Sequence, residues 1–452
     1  MIKLYSFECK KIFKNKITWV AVILSIIAVI GLYYLNYTVA ENVRQGNITL
    51  AKNNLIAFQN MKEELELELE RKKAEENGNS ENVQALEAYL KQMPEGIIKR
   101  ERFIQNYEQG NWQEIHKNNL AHFSGHLNPE FNMDLLSYYI DEQNISPFTI
   151  RANLEEKEWM LAKDIEPFSQ VTHYFGSAYL PTIHDQFTGK VSERWESETN
   201  RYGTQGLYFI YQMIQALYIP IVILIGCFIF GNNISTENSK KKKGLYFYFV
   251  QPINRGKFFA VKYFSGLTSI LGFVLLLVLV PFLCGFFIDG LGSLQYPVFV
   301  YEGSKPSSLG PMYNRLNPLE DPFHFIDLID YLGQAFVLTV VLTIFLYSFY
   351  YTLILLVKNP SVTMIIVTLV TYVGISLTPT RFNPFTYVDI HKVLNGETAT
   401  LAFNPSITFL NGIITLIFFT CLLSAIGYLV YNKVIIGNRG TLFTLKNKKS
   451  VG

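Results

Sequence analysis

The chain contains 452 residues, of which 49% are hydrophobic and 15% aromatic, and only 17% are charged. A soluble chain normally carries about 25% charged residues, so this composition excludes intrinsic disorder and a collagen-like structure and disfavours a soluble fold. The 39 Lys and Arg residues nearly balance the 37 Asp and Glu residues, which by itself indicates neither a nucleic-acid-binding protein nor a scavenger of acidic ligands. Four scattered cysteines are too few for a disulfide framework.

Six segments without Asp, Glu, Lys or Arg are long enough to cross a membrane, for which a helix needs about 20 apolar residues. These segments are residues 17–40, 202–236, 263–288, 331–357, 359–380 and 398–432. The first follows a basic start without a small-residue cleavage site and predicts a membrane anchor rather than a removed signal peptide. The fifth is the weakest, because Pro360 and Pro379 bracket only about 18 residues. We predict an all-α polytopic membrane protein with six spans, with five or seven as alternatives.

The predicted organisation alternates spans with segments on either side of the membrane. The N-terminal segment is 1–16, and the spans are 17–37, 206–232, 263–288, 331–357, 361–379 and 408–432. The connections are a large helical domain at 38–205, a loop at 233–262, a loop at 289–330 and a segment at 380–407, and the tail is 433–452.

Lys and Arg residues predict the orientation, because they are concentrated in short cytoplasmic segments. The N-terminus, the loop between spans 2 and 3, Lys358 and the C-terminal tail together carry 18 basic residues, against only Glu8 and Glu237. The other segments carry 21 basic and 35 acidic residues. Both termini are therefore predicted to be cytoplasmic, in agreement with an even number of spans. The large domain and segments 289–330 and 380–407 are predicted to be extracytoplasmic.

The large domain between the first two spans is expected to begin with an antiparallel helical hairpin. Apolar residues recur at three- and four-residue spacing from Leu55 to Leu69 and again from Val83 to Met93. Residues 77–80 break the first helix, and residues 94–96, Pro-Glu-Gly, are predicted to stop the second one. Further helices are expected near residues 112–123 and 154–161, and no alternating apolar run is long enough to predict a sheet in this domain.

Three histidines of this domain were considered as metal ligands, namely His116, His122 and His126. A metal site needs three or four converging ligands, and no carboxylate at a suitable spacing completes this set. They are interpreted as surface imidazoles, and no metal site is predicted. The chain also contains no HExxH, GxSxG or GxxxxGK[ST] motif, so neither a catalytic residue nor a phosphate-binding loop is predicted.

The most informative segment is the loop between spans 2 and 3. In order, it contains Glu237, Lys240–Lys243, Gly244, Leu245, Tyr246, Phe247, Phe249, Pro252, Arg255 and Lys262. One interpretation is that the basic residues only set the topology, each contributing about 1 kcal/mol beside anionic lipid. The other is a short amphipathic helix on the cytoplasmic surface, with its apolar side available to a partner protein.

This order of residues resembles the type-2 ABC-exporter permease family, the transmembrane subunits of bacterial ABC transporters. In that family the loop carries a Glu, a basic-Gly step, an apolar run ending in Pro-x-x-Arg, and a Lys before the next span. Glu237, Lys243-Gly244, Pro252–Arg255 and Lys262 match this pattern. The resemblance covers the six-span plan, whereas the domain after the first span is larger than in the simplest members. The substrate therefore stays open.

Two further segments carry the same resemblance. Residues 1–16, with Leu4, Glu8, Lys11 and Lys16, are similar to the family's amphipathic interfacial helix before the first span. Residues 380–407, with Asn383-Pro384-Phe385 and Val393–Gly396, are similar to its short helices that re-enter the outer leaflet.

The resemblance implies that the loop at 233–262 carries a coupling helix that docks on a cytoplasmic ABC ATPase subunit. The implied coupling residues are Glu237, Gly244, Leu245, Tyr246, Phe247, Phe249, Pro252, Arg255 and Lys262. Arg255 and Lys262 are interpreted equally well as anchors that snorkel to the lipid surface. ATP and Mg would bind the partner, and this chain would bind no cofactor and would not be an enzyme by itself. The other implied partners are a second permease copy or a sibling permease and membrane lipid, with no nucleic acid.

The function expected from the resemblance is export of an amphipathic or hydrophobic cargo, such as a peptide, an antimicrobial or a lipid, across the bacterial plasma membrane. Antimicrobial-peptide resistance is one hypothesis. Aromatic residues of the spans suit such a cargo or simply face lipid; examples are Phe345, Tyr347, Phe349, Tyr350 and Tyr351.

The sequence leaves three other classes of function as alternatives. The main alternative is a membrane sensor or anchor whose extracytoplasmic domain binds a peptide or a cell-wall ligand. An ion-coupled carrier is disfavoured because such carriers usually need ionisable residues within the membrane, yet six segments of full spanning length occur without Asp, Glu, Lys or Arg. A membrane enzyme is disfavoured because no nucleophile–base spacing stands out.

Overall fold

The computed structural model describes residues 2–75, 81–127, 145–171, 178–185, 187–232, 254–302, 305–306 and 315–448. The described protein is mostly helical, as predicted. Its helices are α1 (Ile2–Phe13), α2 (Lys16–Glu75), α3 (Glu81–Gln109), α4 (Trp112–Leu127), α5 (Pro147–Lys163), α6 (Lys190–Thr199), α7 (Gly206–Gln215), α8 (Tyr218–Phe230), α9 (Arg255–Ile288), α10 (Leu328–Val357), α11 (Pro360–Ser376), a 3₁₀ helix (Pro384–Val388), α12 (Ile390–Leu394), α13 (Glu397–Leu401) and α14 (Phe409–Lys448). Its strands are β1 (Ser169–Gln170), β2 (Arg201–Tyr202), β3 (Pro297–Tyr301) and β4 (Phe323–Asp327).

Four of the described helices are long and apolar enough to cross a membrane, and they lie within α2, α9, α10 and α14. A fifth candidate is α7 with α8, which differ in direction by 80° at a short break. The predicted fifth span corresponds to α11, which has only 17 residues. Among the described residues the structure thus contains four or five candidate spans rather than the six expected from the sequence.

Several predicted boundaries differ from the observed elements. The second predicted span, 206–232, is two helices, because Leu217 adopts a left-handed conformation with φ of 59° between them. The predicted loop at 233–262 overlaps α9, which begins at Arg255 and therefore includes Lys262. The first predicted span belongs to a single 60-residue helix that continues far into the following domain.

The predicted hairpin of the insert domain (residues 38–205) is confirmed. Ion pairs join Lys52 to Glu108 at 2.7 Å and Lys73 to Glu87 at 2.5 Å, so α2 and α3 run antiparallel. The stop predicted at residues 94–96 is wrong, because α3 continues through Pro94 to Gln109. Tertiary packing explains the difference: Met93 is buried, and a Cβ on Gly96 would lie 2.9 Å from the Phe58 ring.

The loop predicted at 289–330 instead contains two strands that pack against the insert domain. Strands β3 and β4 pair in antiparallel fashion over five residues, with Phe299 opposite Phe325. These strands pack with Phe148 and Ala152 of α5 in a hydrophobic cluster. The loop prediction is therefore corrected here, and the expectation of no sheet in the insert domain is corrected at β1 and β2, which pair over two residues. The apolar runs are too short to show a period, and pairing with a distant segment stabilises them.

The end of the first apolar segment and the segments predicted to lie outside the membrane are joined by hydrogen bonds between distant residues. Tyr33, near the end of the first apolar segment, donates a hydrogen bond to the carbonyl of Thr204. The amide of Tyr301 donates to the carbonyl of Asn395 at 2.7 Å. Gly396 has a φ of +74°, and a Cβ there would lie 2.1 Å from the Tyr301 carbonyl oxygen, so this approach requires glycine. The insert domain, β3 and the short helices α12 and α13 therefore form one packed region.

Candidate functional site

The N-terminal helix α1 lies against α9, the helix that follows the predicted coupling loop. Leu4, Glu8 and Ile12 recur every four residues, which places them on one face of a helix. Glu8 and Ile12 are buried, and Leu4 is partly buried against the core. Tyr5 adds a hydrogen bond of 2.7 Å between its hydroxyl and that of Thr268. Lys11 is exposed, and Lys16 is the first residue of α2.

A buried ion pair joins these two helices. The Nζ atom of Lys262 lies 2.9 Å from Oε2 of Glu8, and both side chains are at most 1% exposed. The Phe258 ring lies below the ammonium, with 5.2 Å between Nζ and the ring centroid. Lys262 therefore does not snorkel to the lipid surface, which corrects that interpretation. Removing one partner of such a buried pair strongly destabilises a protein, because the other charge is left buried without compensation.

Aromatic residues hold the start of α9 against α10. The Tyr347 hydroxyl donates a hydrogen bond to the carbonyl of Tyr263 at 3.0 Å, and the hydroxyls of Tyr263 and Ser348 are 2.6 Å apart. A Cβ on Gly266 would lie 2.3 Å from the Tyr347 hydroxyl, so the two helices approach closely there. Tyr347, Tyr350 and Tyr351 are all buried within the protein. In this structure they therefore neither face lipid nor line an open cargo path.

The residues on either side of the loop are fixed by specific contacts. Before the loop, Tyr350 donates a hydrogen bond of 2.5 Å to the side-chain oxygen of Asn232. After the loop, the side chain of Asn254 caps α9 by accepting from the amide of Gly256 at 2.9 Å. Arg255 is the half-buried first residue of α9. The predicted coupling residues Glu237, Gly244, Leu245, Tyr246, Phe247, Phe249 and Pro252 lie outside the described residues.

Glu8 and Lys262 were each predicted from the sequence as residues of interest, but their pairing was not. The roles of Tyr347 and Tyr350, which hold the two sides of the loop, were not predicted either. The only signal for the pair was that two charged residues lie beside long apolar segments, in parts of the chain 254 positions apart. Such a separation gives no periodicity from which a contact could be predicted.

A second buried charge centre lies in the insert domain. Arg201 donates to both carboxylate oxygens of Glu156, at 2.5 and 2.9 Å, and Lys157 donates to Oε2 at 2.9 Å. Burial by itself raises the pKa of Glu156, but the charges of Arg201 and Lys157 more than offset it and lower this pKa to about 2. Burial lowers the pKa of Lys157, and the attraction of Glu156 opposes that change. The cluster links α5 to β2 and to the hydroxyl of Tyr296.

His116 is not the surface imidazole that the sequence suggested. It is 1% exposed, and its Nε2 atom lies 2.8 Å from the carbonyl oxygen of Ile165. Burial lowers the pKa of His116 to about 4. Within the described part of the chain, no group of three or more His, Cys, Asp or Glu side chains is arranged to hold a metal ion.

Comparisons of the chain with protein-family models, with curated proteins and with solved structures found no match.

Proposed function

We propose that this chain is the membrane-spanning permease subunit of an ATP-driven exporter, energised by a separate cytoplasmic ATPase. The cargo would be amphipathic or hydrophobic, such as a peptide, an antimicrobial or a lipid, moved outward across a bacterial plasma membrane. Both termini would be cytoplasmic, and a second permease copy or a sibling permease would complete the path. The order of charged, glycine and apolar residues from Glu237 to Lys262 supports this assignment.

The structural observation that carries the proposal is the buried ion pair between Glu8 and Lys262. A permease must transmit motion from the ATPase to its spans, which requires a rigid connection next to the docking loop. The pair fixes the N-terminal helix to the helix that emerges from that loop. A push on the loop would therefore move α1 and α9 together rather than displace the loop alone.

The test uses the full chain reconstituted in nanodiscs with a Walker-type ATPase encoded beside it. Glu8→Lys and Lys262→Glu are each expected to reduce cargo-stimulated ATP hydrolysis by about tenfold or more, because each places like charges together in a buried site. The combined swap Glu8→Lys with Lys262→Glu should restore most of the activity. Lys257→Gln, at an exposed position of the same helix, is the matched control and should behave like the wild type.

Two results would overturn the proposal. One is transport of cargo by the purified chain without any nucleotide-hydrolysing partner. The other is that tags at the two termini are found on opposite faces of the membrane.

The second candidate function is a sensor or anchor whose extracytoplasmic domain binds a peptide or a cell-wall ligand. It is favoured by a polar cavity in the insert domain, lined by His116 and Lys157 among others. A sensor would bind its ligand without any ATPase, so loss of the neighbouring ATPase separates the two functions.

A further inference from the structure

A cavity of about 90 Å³ lies where the insert domain meets the ends of three apolar helices. Tyr37 of α2, Thr204 before α7 and Asp289 after α9 form the part of its wall nearest the apolar helices. A single water molecule requires only about 10–15 Å³ of such space. The cavity therefore has room for several waters or for one small organic group.

Two buried polar atoms in this cavity wall have no hydrogen-bond partner among the described residues. They are Nδ1 of His116 and Oδ1 of Asn119, whose side chains are 1% and 3% exposed. A buried polar atom without a partner is costly, at about 1–3 kcal/mol, so a native structure normally supplies one. The cavity is the space from which that partner would come.

Both atoms act as hydrogen-bond acceptors. The Nε2 atom of His116 faces a carbonyl oxygen, which can only accept, so Nε2 carries the proton and Nδ1 offers a lone pair. The lowered pKa of His116 keeps this ring neutral at physiological pH. The side-chain oxygen of Asn119 is also an acceptor. A group that fits these two atoms must therefore donate hydrogen bonds.

The charged residues of the wall point to the same ligand chemistry. Three carboxylates line the cavity, from Glu41, Glu166 and Asp289, against the cations Arg44 and Lys157. The Lys157 ammonium donates to Glu156, which draws part of its charge away from the cavity.

The aromatic side chains of Tyr37, Tyr107, Trp112 and Phe168 also line it, and faces of such rings attract cations. A cationic donor is therefore favoured over an anion or a purely apolar ligand.

We propose that this cavity binds a small alkylammonium group, supplied by a free amine or by a lysine-like side chain of a peptide. The ammonium would donate to Nδ1 of His116 and Oδ1 of Asn119, with the aromatic rings around its carbon chain. The assignment does not depend on the proposed export function, because it rests on the cavity alone. Occupancy would stiffen the contact between the insert domain and the three apolar helices.

The test titrates the full-length protein in nanodiscs with n-butylammonium chloride and, separately, with Nα-acetyl-lysinamide. Tryptophan fluorescence and calorimetry report binding, since Trp112 lines the cavity. Sodium chloride at equal ionic strength controls for screening, and n-butanol controls for the apolar chain. We expect saturable binding of n-butylammonium. Additional binding of the lysinamide would identify a peptide side chain as a source, and its absence would restrict the ligand to free amines.

Variants then assign the binding to this cavity. His116→Phe and Asn119→Leu should each weaken binding by about tenfold, because each removes one acceptor of a charged donor. Glu41→Gln is a further variant that keeps the size of the side chain and should also weaken binding, so the proposal stays testable if His116→Phe does not fold. Glu114→Gln, on the same helix as His116 but in an exposed ion pair with Lys117, should bind like the wild type.

Three outcomes would overturn the proposal. They are the absence of saturable binding, which would mean a cavity filled by water only, equal binding of n-butanol, and unchanged affinity in folded His116→Phe, Asn119→Leu and Glu41→Gln proteins.

Discussion

Among the described residues, the buried charge centres at Glu156 and at Glu8 differ in how completely their carboxylate oxygens are bonded. In the insert domain, both oxygens of Glu156 accept hydrogen bonds, from Arg201 and Lys157. Beside the loop, Glu8 bonds Lys262 through Oε2, while its Oε1 has no hydrogen-bond partner among the described residues. Buried carboxylates are stable when all their lone pairs are used. The first centre is thus suited to holding one fixed structure, whereas the second connects α1 to α9 with one carboxylate oxygen left unbonded.

The largest expected effect is at the centre in which both carboxylate oxygens, those of Glu156, accept hydrogen bonds. Glu156→Gln leaves two buried cations, Lys157 and Arg201, without their carboxylate, and should lower the free energy of unfolding by about 3–5 kcal/mol. Unfolding of the protein in detergent, followed by tryptophan fluorescence, measures this change. Glu95→Gln is the control, because its ion pair with Lys99 is exposed and should contribute little. Equal stability of the Glu156→Gln protein and the wild type would show that this charge centre does not stabilise the folded protein.

The same centre predicts a pH dependence. The pKa of Glu156 is about 2 in the folded protein, below the ordinary 4.5, so its contribution to stability is complete above pH 4.5. It is lost progressively as the pH falls from 4.5 towards 2. We expect the difference in melting temperature between the wild type and Glu156→Gln to shrink over this range. A difference that does not change with pH would show that Glu156 is not held as a carboxylate.

An intermediate effect is expected from packing beside the loop. Gly266→Ala would place a Cβ 2.3 Å from the Tyr347 hydroxyl, so the two helices must separate, at a cost of about 1–3 kcal/mol. Gly272→Ala on the same helix is the matched control, because no atom lies within 4 Å of its Cβ position. Thermal unfolding of the two variants side by side measures the difference. Equal melting temperatures would mean that the close approach of α9 and α10 is unimportant for stability.

The smallest effect on stability is expected when both charges of the Glu8–Lys262 pair are removed together. Replacing Glu8 by Leu and Lys262 by Met should change the free energy of unfolding by no more than about 1 kcal/mol, or increase it, since apolar residues of similar size often replace buried pairs without loss. Stimulated ATP hydrolysis should nevertheless fall, because the ion pair that connects α1 to α9 is absent. If this double variant unfolds as readily as Glu156→Gln, the two charge centres contribute equally to stability, contrary to the difference described above.

Local patterns in the sequence predicted those parts of the fold that depend on neighbouring residues. The helical hairpin followed from apolar residues three and four positions apart, and ion pairs such as Lys73 with Glu87 confirm it. The stop at Pro94 was predicted from the same kind of local rule and was wrong, because packing of Gly96 against Phe58 outweighs the cost of a proline inside α3. Local rules therefore fail where a distant segment supplies the stabilising contact.

In the candidate sites, too, single residues were predicted from local patterns, whereas the contacts between distant residues were not. Glu8 and Lys262 were each identified as residues of interest, but their ion pair joins positions 254 residues apart. His116 was interpreted as exposed, because nothing in the residues around it indicates that the carbonyl of Ile165 covers it. Strand β3 was interpreted as a loop, because its pairing partner β4 and its packing partner Phe148 lie far along the chain.

The amino-acid sequence by itself determined that this is a mostly helical membrane protein with long apolar helices and a large domain after the first of them. Hydrophobic burial along one chain segment is sufficient for that conclusion. Only the tertiary structure decided which charges are buried together, which residues close the cavity at His116 and Asn119, and how the segment after α9 joins the insert domain. Those features arise from contacts between residues that are distant in the chain, which no local periodicity encodes.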